Sequence, residues 1–328
     1  MIIYRNNNTD PSFNLATEEY LLHNANEDIF MLWRNEASVI IGKNQNAYAE
    51  LDVDYVENNN VKVVRRLTGG GAVFHDLGNV NFTFITAGES SVLNFEKFTQ
   101  PIIEAIKSLG CENVYLSGRN DIMMDGLKIS GNAQTSYNGK TLHHGTLLYS
   151  ADMSKLVKAL RVDEEKIKSK GIKSVRNRVG NIKELLNTDM DVQEFMEYLE
   201  KYVSSQYSEQ ICVFSVEQIR DIQSLADEKY STWEWNFGKS KEYVAEKKKR
   251  YDFGIVCVSL TAENGVIKDI KIMGDFFGVK DITDIEKNLT GCRVGKTELL
   301  LCLSNLPSPL CEYISGMSKN DFVELLLS

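Results

Sequence analysis

Residues 64–84 read VRRLTGGGAVFHDLGNVNFTF, and this stretch governs the interpretation of the whole chain. Two adjacent arginines, Arg65 and Arg66, precede three consecutive glycines at residues 69–71. Consecutive glycines cost backbone entropy, which suits a loop whose N–H groups must approach an anionic ligand closely. Arginines beside such a loop supply charge-assisted donors for a phosphate or carboxylate. The glycines alone are equally consistent with a turn between two strands. The arginines before them and His75 after them favour an anion-binding site.

The composition is that of an ordinary globular protein. The chain has 328 residues, 43% of them hydrophobic and 25% charged, so we expect one large domain and one small one. The net charge of −9 disfavours a general nucleic-acid or anionic-membrane surface. We find neither a signal-peptide pattern nor a membrane-spanning apolar stretch, and therefore expect a cytoplasmic protein. The six cysteines show no CxxC pair or metal-ligand spacing, so we expect reduced and mostly buried thiols.

Hydrophobic periodicity predicts a mixture of strands and helices. Alternation predicts strands over residues 30–33, 38–41, 61–65, 79–85, 113–116, 121–124, 127–130, 132–137 and 141–150. Helical spacing and capping predict helices over residues 11–24, 95–109 and 151–160, around 192–199 and around 216–225. The strand 79–85 has one apolar face and one polar face, and the polar face could line a cleft.

Two side chains on the predicted hairpin have roles that the pattern leaves open. Lys128 and Ser130 share one strand face, and His144 and Thr146 share a face of the partner strand. A lysine at this position is at least as consistent with a protective edge-strand charge as with a functional group. A lone histidine on a strand is more often structural than catalytic.

The charged run Lys247–Arg250 is the predicted domain boundary. It divides the chain into residues 1–245 and 246–328. An alternating strand follows over residues 251–260, and Asn264-Gly265 predicts a tight hairpin turn. Three short helices after the hairpin would complete a small α+β module.

Common nucleotide-binding and hydrolase motifs are absent from the sequence. The segments GKS at 238–240 and GKT at 295–297 lack the first glycine of a P-loop. The dinucleotide motif GxGxxG fails at Phe74, and no HExxH, GxSxG or zinc-ligand spacing occurs. These observations disfavour a P-loop kinase, a Rossmann dehydrogenase and a zinc hydrolase.

The opening stretch resembles the signature of lipoate–protein ligases. The likeness continues in the family's order through nearly all of residues 1–245. Its other segments are NLA (14–16), LWRN (32–35), GRND (118–121), KISG (128–131), HHGTLL (143–148), the basic loop 171–178 and WEWNFG (233–238). The last ~80 residues resemble, with weaker motifs, the C-terminal accessory domain of the bacterial ligases.

This resemblance implies an α/β (α+β) fold: a biotin/lipoyl ligase-type catalytic domain with a mixed sheet, plus a small α+β accessory domain. It also implies a monomer that acts in two half-reactions. Lipoate and MgATP give lipoyl-AMP and pyrophosphate. The lipoyl group then passes to a specific lysine of apo lipoyl domains in 2-oxoacid dehydrogenase complexes or of the glycine-cleavage H protein.

The resemblance assigns site residues as well. ATP would be held by Arg66, Lys128 and the loop residues Gly71, Ala72, Val73 and Phe74. Lipoate would contact Lys128, His75, His144, Arg65 and Gly70. Lys128 would be the catalytic residue, bridging the lipoate carboxyl group and the α-phosphate, and Asp121 would hold Mg²⁺.

The chemistry of adenylation agrees with such a site. The reaction brings a carboxylate against a phosphate, so catalysis must come from positioning and positive charge. An apolar channel would suit the eight-carbon acid, because each buried CH₂ contributes about 0.8 kcal/mol.

Two rival functions compete with this interpretation, and the second belongs to a different class. A cysteine-dependent octanoyl or lipoyl transferase of the same superfamily needs a reactive thiolate in the site. No cysteine lies in the glycine loop or in the strands of Lys128 and His144, and the nearest, Cys111, lies at a helix end. A non-catalytic lipoyl-domain adaptor would have no need of Arg66, the three glycines and Lys128 together.

Overall fold

A computed structural model describes residues 1–87, 93–152, 154, 158–160, 179–207, 211–238 and 246–327. Its largest element is an eight-stranded mixed sheet with the strand order β11-β1-β2-β6-β10-β9-β8-β7. The strands of this sheet are β1 (Ile2–Arg5), β2 (Ile29–Trp33), β6 (Asn79–Ala87), β7 (Val114–Ser117), β8 (Asp121–Met124), β9 (Leu127–Tyr137), β10 (Lys140–Leu148) and β11 (Ile211–Cys212). β1 runs parallel to β2 and β11, and the other pairs are antiparallel.

Helices cover both faces of this sheet. The described helices are α1 (Pro11–Asn24), α2 (Ala47–Glu50), α3 (Val53–Asn58), α4 (Phe95–Lys107), α5 (Ile182–Leu186), α6 (Val192–Tyr207), α7 (Val216–Leu225), α8 (Trp233–Asn236), α9 (Thr283–Leu289), α10 (Lys296–Ser304), α11 (Leu310–Tyr313) and α12 (Lys319–Leu327). α4 and α6 pack on one face of the sheet, and α1 and α7 pack on the other. The predicted mixed α/β architecture is therefore confirmed.

Burial on both faces corrects one expectation. Along β6 the apolar side chains face the core under α4, as predicted. The polar side chains Asn79, Asn81 and Thr83 are buried too, because α1 and a second, smaller sheet cover their face. Of these three, Asn81 does line a cavity.

The start of α1 follows directly from its sequence. The Asp10 side chain accepts hydrogen bonds from the backbone N–H groups of Ser12 and Phe13, and Pro11 occupies the first helical position. An N-cap carboxylate followed by proline is a strong helix start. This cap positions α1, and with it Leu15 and Glu18, against the polar face of β6.

A three-stranded sheet carries the glycine loop. Its strands are β3 (Ser38–Ile41), β4 (Lys62–Arg65) and β5 (Val73–His75), in the order β4-β3-β5. β3 pairs in parallel with β4 and antiparallel with β5. Residues 66–72 therefore connect the two outer strands across β3, beside the main sheet.

The C-terminal module has its own sheet and its own hydrophobic core. Its strands β12 (Glu246–Tyr251), β13 (Gly254–Glu263) and β14 (Val266–Gly274) are antiparallel, and helices α9 to α12 pack against them. The run Lys247–Arg250 is itself part of β12, so the expectation of a charged segment preceding the first strand is wrong. An outer strand accommodates lysines because its side chains reach solvent at the sheet edge. Residues 239–245, just before it, lie outside the described residues.

The structure tests several other local predictions. Both Asn-Gly hairpin turns are confirmed, with positive φ at Asn138-Gly139 and at Asn264-Gly265. The two strands predicted over residues 127–137 are one continuous strand, β9. The basic loop 171–178 and part of the helix predicted over residues 151–160 lie outside the described residues.

The cysteines differ from the expectation of reduced, mostly buried thiols. Cys292 and Cys302 form a disulfide within the C-terminal module, so that expectation is wrong for this pair. Of the free thiols, three are partly buried and Cys311 is exposed. Among the described helices, none has the length and apolar character needed to cross a membrane.

Candidate active site

A cavity of about 200 Å³ lies where the main sheet, α1, the small sheet and the C-terminal module meet. At a liquid volume of roughly 30 Å³ per water molecule, it has room for about seven waters or a small organic acid. Much of its wall is apolar and comes from Leu15, Trp33, Ile40, Val73 and Ala133. Polar and charged side chains, among them Arg66, Lys128 and His144, line the rest of the wall, so the cavity suits a ligand that is apolar along its length and charged at one end.

One cross-strand row of the main sheet forms the floor of this cavity. Trp33 on β2 lies opposite Asn81 on β6, which lies opposite Thr146 on β10. The next member, Gly131 on β9, donates its N–H to the Thr146 hydroxyl, and its partner on β8 is Asp121. With strands about 4.8 Å apart, the four steps from Asp121 to Trp33 span roughly 19 Å. The floor is thus an elongated track that suits an extended chain.

Lys128 stands at one end of this track. A Cβ atom on Gly131 would lie 3.4 Å from Lys128 Nζ, so the missing side chain leaves room for the ammonium group over the row. Nζ is 2.7 Å from Asp121 Oδ1, and both side chains are about one-third exposed. Trp33, which is buried, closes the other end. The Lys128 ammonium and the apolar Trp33 side chain therefore lie at opposite ends of the same cavity.

Each of the three glycines in the loop has a different environment at the position that a Cβ atom would occupy. A Cβ atom on Gly69 would collide with the carbonyl oxygen of Phe276 in the C-terminal module. Gly70 has φ +91°, and a Cβ there would lie 3.0 Å from both Arg66 Nη2 and the ring of Phe277. Nothing lies within 4 Å of the position that a Gly71 Cβ would occupy. Gly71 therefore presents open backbone at the cavity wall.

Arg66 organises the glycine loop from within. Its Nη2 donates to the carbonyl oxygens of Gly69 at 2.6 Å and Gly71 at 2.9 Å, and its Nη1 donates to that of Ile40 at 3.1 Å. Burial lowers the pKa of Arg66 to about 10, which leaves the guanidinium charged at neutral pH. The side chain lines the cavity, so a fixed positive charge lies beside the open face of the loop.

Arg65 points elsewhere. Its guanidinium donates to the carbonyl oxygens of Gly42, Gln45 and Asn236 at 2.7–2.8 Å, and it is fully buried. Arg65 is not among the residues that line the cavity. The side chain of Phe74 likewise packs into the core of the small sheet. The other predicted ATP and lipoate residues, Gly70 and Gly71 through Val73 together with Arg66, His75, Lys128 and His144, all line the cavity.

A buried chain of hydrogen bonds runs from Arg66 to His144. Arg66 Nε donates to Thr68 Oγ1 at 2.9 Å, and the same Thr68 oxygen is hydrogen-bonded to His144 Nε2 at 2.8 Å. His144 Nδ1 carries a ring proton and donates to Glu18 Oε2 at 2.9 Å. These contacts on both ring nitrogens hold His144 in one orientation.

The same chain of hydrogen bonds continues from Glu18 to Trp33, which closes one end of the cavity. Thr83 Oγ1 donates to Glu18 Oε1 at 2.6 Å and accepts from Trp33 Nε1 at 2.8 Å. Glu18 is 2% exposed, and Arg66 is the nearby opposite charge. Sequence reasoning did not give Glu18 or Thr68 a role. The available signal was an acidic pair, Glu18-Glu19, within an otherwise apolar stretch of α1.

His75 is a neutral wall of the cavity. Its Nδ1 accepts a hydrogen bond from Asn35 Nδ2 at 3.1 Å. Burial, together with the positive charge of Arg66, lowers the pKa of His75 to about 3. The imidazole is therefore uncharged at neutral pH and presents a polar but neutral edge to the ligand.

The C-terminal module completes the cavity. Phe277 lines it, and the Arg119 guanidinium carbon lies 4.3 Å from the centre of the Phe277 ring. An ion pair of 2.8 Å between Lys43 and Asp281 joins the two parts of the chain nearby. Phe277 was not among the predicted site residues. Its only local signal was the aromatic pair Phe276-Phe277 in the segment after β14.

The geometry of the cavity bears on the expected metal site and on the cysteine-dependent alternative. No group of three histidine, cysteine or acidic side chains capable of holding a metal occurs among the described residues. Mg²⁺ commonly binds through one or two carboxylates together with substrate phosphates, so Asp121 alone is compatible with the predicted role. All six cysteines are described, and none lines the cavity. The thiolate that the transferase mechanism requires is therefore missing from this site.

Two family comparisons divide most of the chain between them. Residues 10–204 match the family described as "Lipoyl protein ligase A/B catalytic domain", and residues 240–326 match "Bacterial lipoate protein ligase C-terminus". Lipoate–protein ligase 1 of Staphylococcus aureus is 42% identical over 327 residues, covering 99% of both chains. Lipoate-protein ligase LplJ of Bacillus subtilis is 41% identical over 336 residues, again covering 99% of both.

Solved structures show the same similarity. LipL1 of P. falciparum in complex with lipoate has a TM-score of 0.80 at 27% identity, covering 98% of this chain and 97% of that one. The bipartite lipoate protein ligase of Thermoplasma acidophilum, studied with its E2 lipoyl domain, has a TM-score of 0.63 at 28% identity, covering 74% and 98%. Lipoate-protein ligase A bound with ATP has a TM-score of 0.61 at 26% identity, covering 72% and 98%.

Proposed function

This chain belongs to the lipoyl protein ligase A/B family and is a lipoate–protein ligase, and we propose that it works through an acyl-adenylate. In the first half-reaction a lipoate carboxylate oxygen attacks the α-phosphorus of ATP. The bond between the α-phosphorus and the oxygen that links it to the β-phosphate breaks, and pyrophosphate leaves. In the second, a lysine amine of a carrier domain attacks the acyl carbon, loses a proton, and releases AMP.

The observation that carries this proposal is the placement of Lys128. Its ammonium lies over Gly131 at one end of the sheet row, and Trp33 closes the other end. An extended acid whose tail lies against Trp33 would present its carboxylate to Lys128. The positive charge of the Lys128 ammonium would then lie where the carboxylate and the α-phosphate must meet, which is the arrangement that adenylation needs.

The glycine loop supports the ATP half of the proposal. Gly71 exposes open backbone at the cavity wall, and Arg66 holds the loop carbonyls on its inner side. Backbone N–H groups of the segment from Gly71 to Phe74 would hold phosphate oxygens. A solved relative carries ATP and another carries lipoate, which supports ATP and lipoate as the two substrates.

Each remaining residue has a role in this scheme. His144 and His75 would line the acyl chain, together with Gly70. Arg65 would act indirectly, by holding the backbone at Gly42 and Gln45 that supports the loop. When bound, Mg²⁺ would be held by Asp121 and the phosphates and would neutralise part of their negative charge.

The acceptors are proposed from the family and from chemistry. We propose apo lipoyl domains of 2-oxoacid dehydrogenase complexes and the glycine-cleavage H protein, since a relative is described together with its E2 lipoyl domain. We also propose a catalytic domain of residues 1–245 and an accessory domain of residues 246–328, acting as a monomer. The separate hydrophobic core of the C-terminal module supports that division.

The test is a ligation assay with a lysine variant. The full chain with lipoate, MgATP and an apo lipoyl domain should release pyrophosphate and add one lipoyl mass to the domain. Lys128→Ala should lower both rates by about a hundredfold or more while the circular dichroism spectrum is unchanged. Lys140→Ala, in the same hairpin but outside the cavity lining, is the matched control.

The outcomes discriminate between functions. Ligation that is unchanged in Lys128→Ala would remove the role assigned to this lysine. Acyl transfer that proceeds without ATP, from an octanoylated or lipoylated carrier, would support the cysteine-dependent transferase instead. Octanoate and biotin, offered as competing acids, measure how narrowly the cavity selects its substrate.

A further inference from the structure

Two buried hydrogen-bond donors at the cavity wall have no partner among the described residues. They are Nε2 of His75 and Nδ2 of Asn81. His75 is 3% exposed and Asn81 is 2% exposed, and both residues line the cavity. Buried polar groups are normally paired, so two orphaned donors on one small wall call for an explanation.

The His75 nitrogen is a donor because a chain of asparagines fixes its tautomer. Asn14 Nδ2 donates to Asn35 Oδ1 at 2.8 Å, which orients the Asn35 amide. Asn35 Nδ2 then donates to His75 Nδ1 at 3.1 Å, so the ring proton lies on Nε2. The low pKa of His75 keeps this neutral form at neutral pH.

The Asn81 amide is hydrogen-bonded to its neighbour on the same strand, Asn79. Its Oδ1 accepts a hydrogen bond from Asn79 Nδ2 at 2.9 Å, and its Nδ2 is left without a partner. Asn81 lies directly opposite Trp33 in the register of β2 and β6. This donor therefore lies at the Trp33 end of the sheet row, where the tail of a bound acid would lie.

His75 lies at the same end. Its ring centre is 6.2 Å from that of Trp33 in an edge-on arrangement. Lys128 lies three strand steps from Trp33 along the row, a separation of roughly 14 Å. The two donors are therefore placed beside the tail of a bound acid and remote from its carboxylate.

We propose that His75 and Asn81 select acids whose tail carries a hydrogen-bond acceptor, namely the ring sulfurs of lipoate, over acids with a plain hydrocarbon tail. This inference rests on the proposed function. Thioether-type sulfur is a weak acceptor, but a methylene group is none. A hydrocarbon tail would strip water from both donors and leave them unpaired, and a site of that kind rejects the analogue that lacks the acceptor.

The experiment compares three acids, chosen so that the effect of ring shape on binding can be distinguished from the effect of the sulfur atoms. They are lipoate, its carbocyclic isostere cyclopentylpentanoate, in which both sulfurs are methylenes, and octanoate. Binding to the full chain is measured by calorimetry without ATP, and pyrophosphate release is measured with ATP. We expect lipoate to bind about tenfold or more tightly than the isostere in the unmodified chain.

Variants then assign the preference to the two donors. Asn81→Leu and His75→Phe each replace a donor by an apolar group of similar shape, and each should reduce the lipoate-to-isostere ratio by about tenfold. Thr146→Val is the matched control, because it removes one polar group from the same row one strand nearer to Lys128. The ratio should be unchanged in that variant.

A second measurement needs no variant. In the nitrogen NMR spectrum of the full chain, the Nε2–H signal of His75 should shift more with lipoate than with the isostere. Equal affinities for lipoate and the isostere in the unmodified chain would overturn the inference while leaving the ligase reaction intact. Failure to release pyrophosphate with any of the acids would instead contradict the proposed function, and the binding ratio would still test the donors.

Discussion

The ring of Phe277 in the C-terminal module lies so close to Gly70 of the glycine loop that a Cβ atom on Gly70 would be 3.0 Å from its Cζ. This contact joins two segments that are more than 200 residues apart, and it forms one wall of the cavity. The C-terminal module is therefore a structural part of the site, and the first two predictions address it.

Replacing Phe277 by alanine should weaken the binding of the acid. The ring is buried against Arg119 and Phe95, and its loss would open the cavity to water. We expect the KM for lipoate to rise by about tenfold or more, in proportion to the apolar surface lost. Phe253→Ala, the same change in the same module but outside the cavity lining, should leave KM within about twofold.

Gly70→Ala should lower kcat/KM for lipoate by about tenfold. The substitution places a side chain at φ +91° and against both Phe277 and Arg66. Gly110→Ala is the matched control, because Gly110 has φ +103° with nothing within 4 Å of the added Cβ. Both variants should lose about 1 kcal/mol of stability. An equal loss of activity in both would show that backbone strain, and not the contact with Phe277, is responsible.

Arg65→Lys should destabilise the fold without changing the affinity of the folded protein for lipoate. A lysine cannot reproduce the planar set of donors that Arg65 directs at several backbone carbonyls. Leaving these buried carbonyls unpaired should reduce the free energy of unfolding by about 3 kcal/mol, measured in urea. Arg220→Lys, on the exposed surface of α7, should change it by less than about 0.5 kcal/mol. A large change in lipoate Kd with normal stability would return Arg65 to the substrate contacts first predicted for it.

The stability of the protein should fall as the pH falls through the titration range of His75. Its pKa is lowered from 6.5 to about 3 in the folded state, so below about pH 6 the unfolded chain binds a proton that the folded chain does not. The stabilisation is fully present above the unfolded pKa and decreases by about 1.4 kcal/mol for each pH unit between about pH 6 and pH 4. His75→Gln should reduce the pH slope of stability by this amount, measured from urea unfolding curves of the variant and the unmodified chain, while His143, whose pKa burial also lowers, keeps its own contribution. His23→Gln, at an exposed histidine, is the control, and identical slopes in all three proteins would contradict the prediction.

Local patterns predicted the part of the site that lies on regular strands. Alternation placed Lys128 on one face of its strand, and it placed His144 and Thr146 on the same face of theirs. All three side chains line the cavity. Alternation also bears on the two arginines. Adjacent residues at the end of a strand point in opposite directions, so Arg65 and Arg66 could not both face the ligand. The structure directs Arg66 to the loop and Arg65 to the backbone behind it.

The rest of the site depends on contacts between distant segments. The buried carboxylate of Glu18 depends on His144 and Thr83, which lie on two strands far along the chain. Phe277 reaches the cavity only because the C-terminal module packs on Gly69 and Gly70. No local periodicity encodes either contact, since helical and strand spacing describe only neighbours within one element.

The row of the main sheet that ends at Trp33 also has a consequence for fidelity. Its length is set by the number of strands between Lys128 and Trp33, and Trp33 is buried and held by its bond to Thr83. The limit on acyl length therefore belongs to the backbone of the sheet more than to any flexible side chain. Common membrane fatty acids, whose chains are much longer than that of lipoate, would overrun this track with their carboxylates displaced from Lys128. The fold would thereby protect carrier domains from being acylated with long-chain fatty acids.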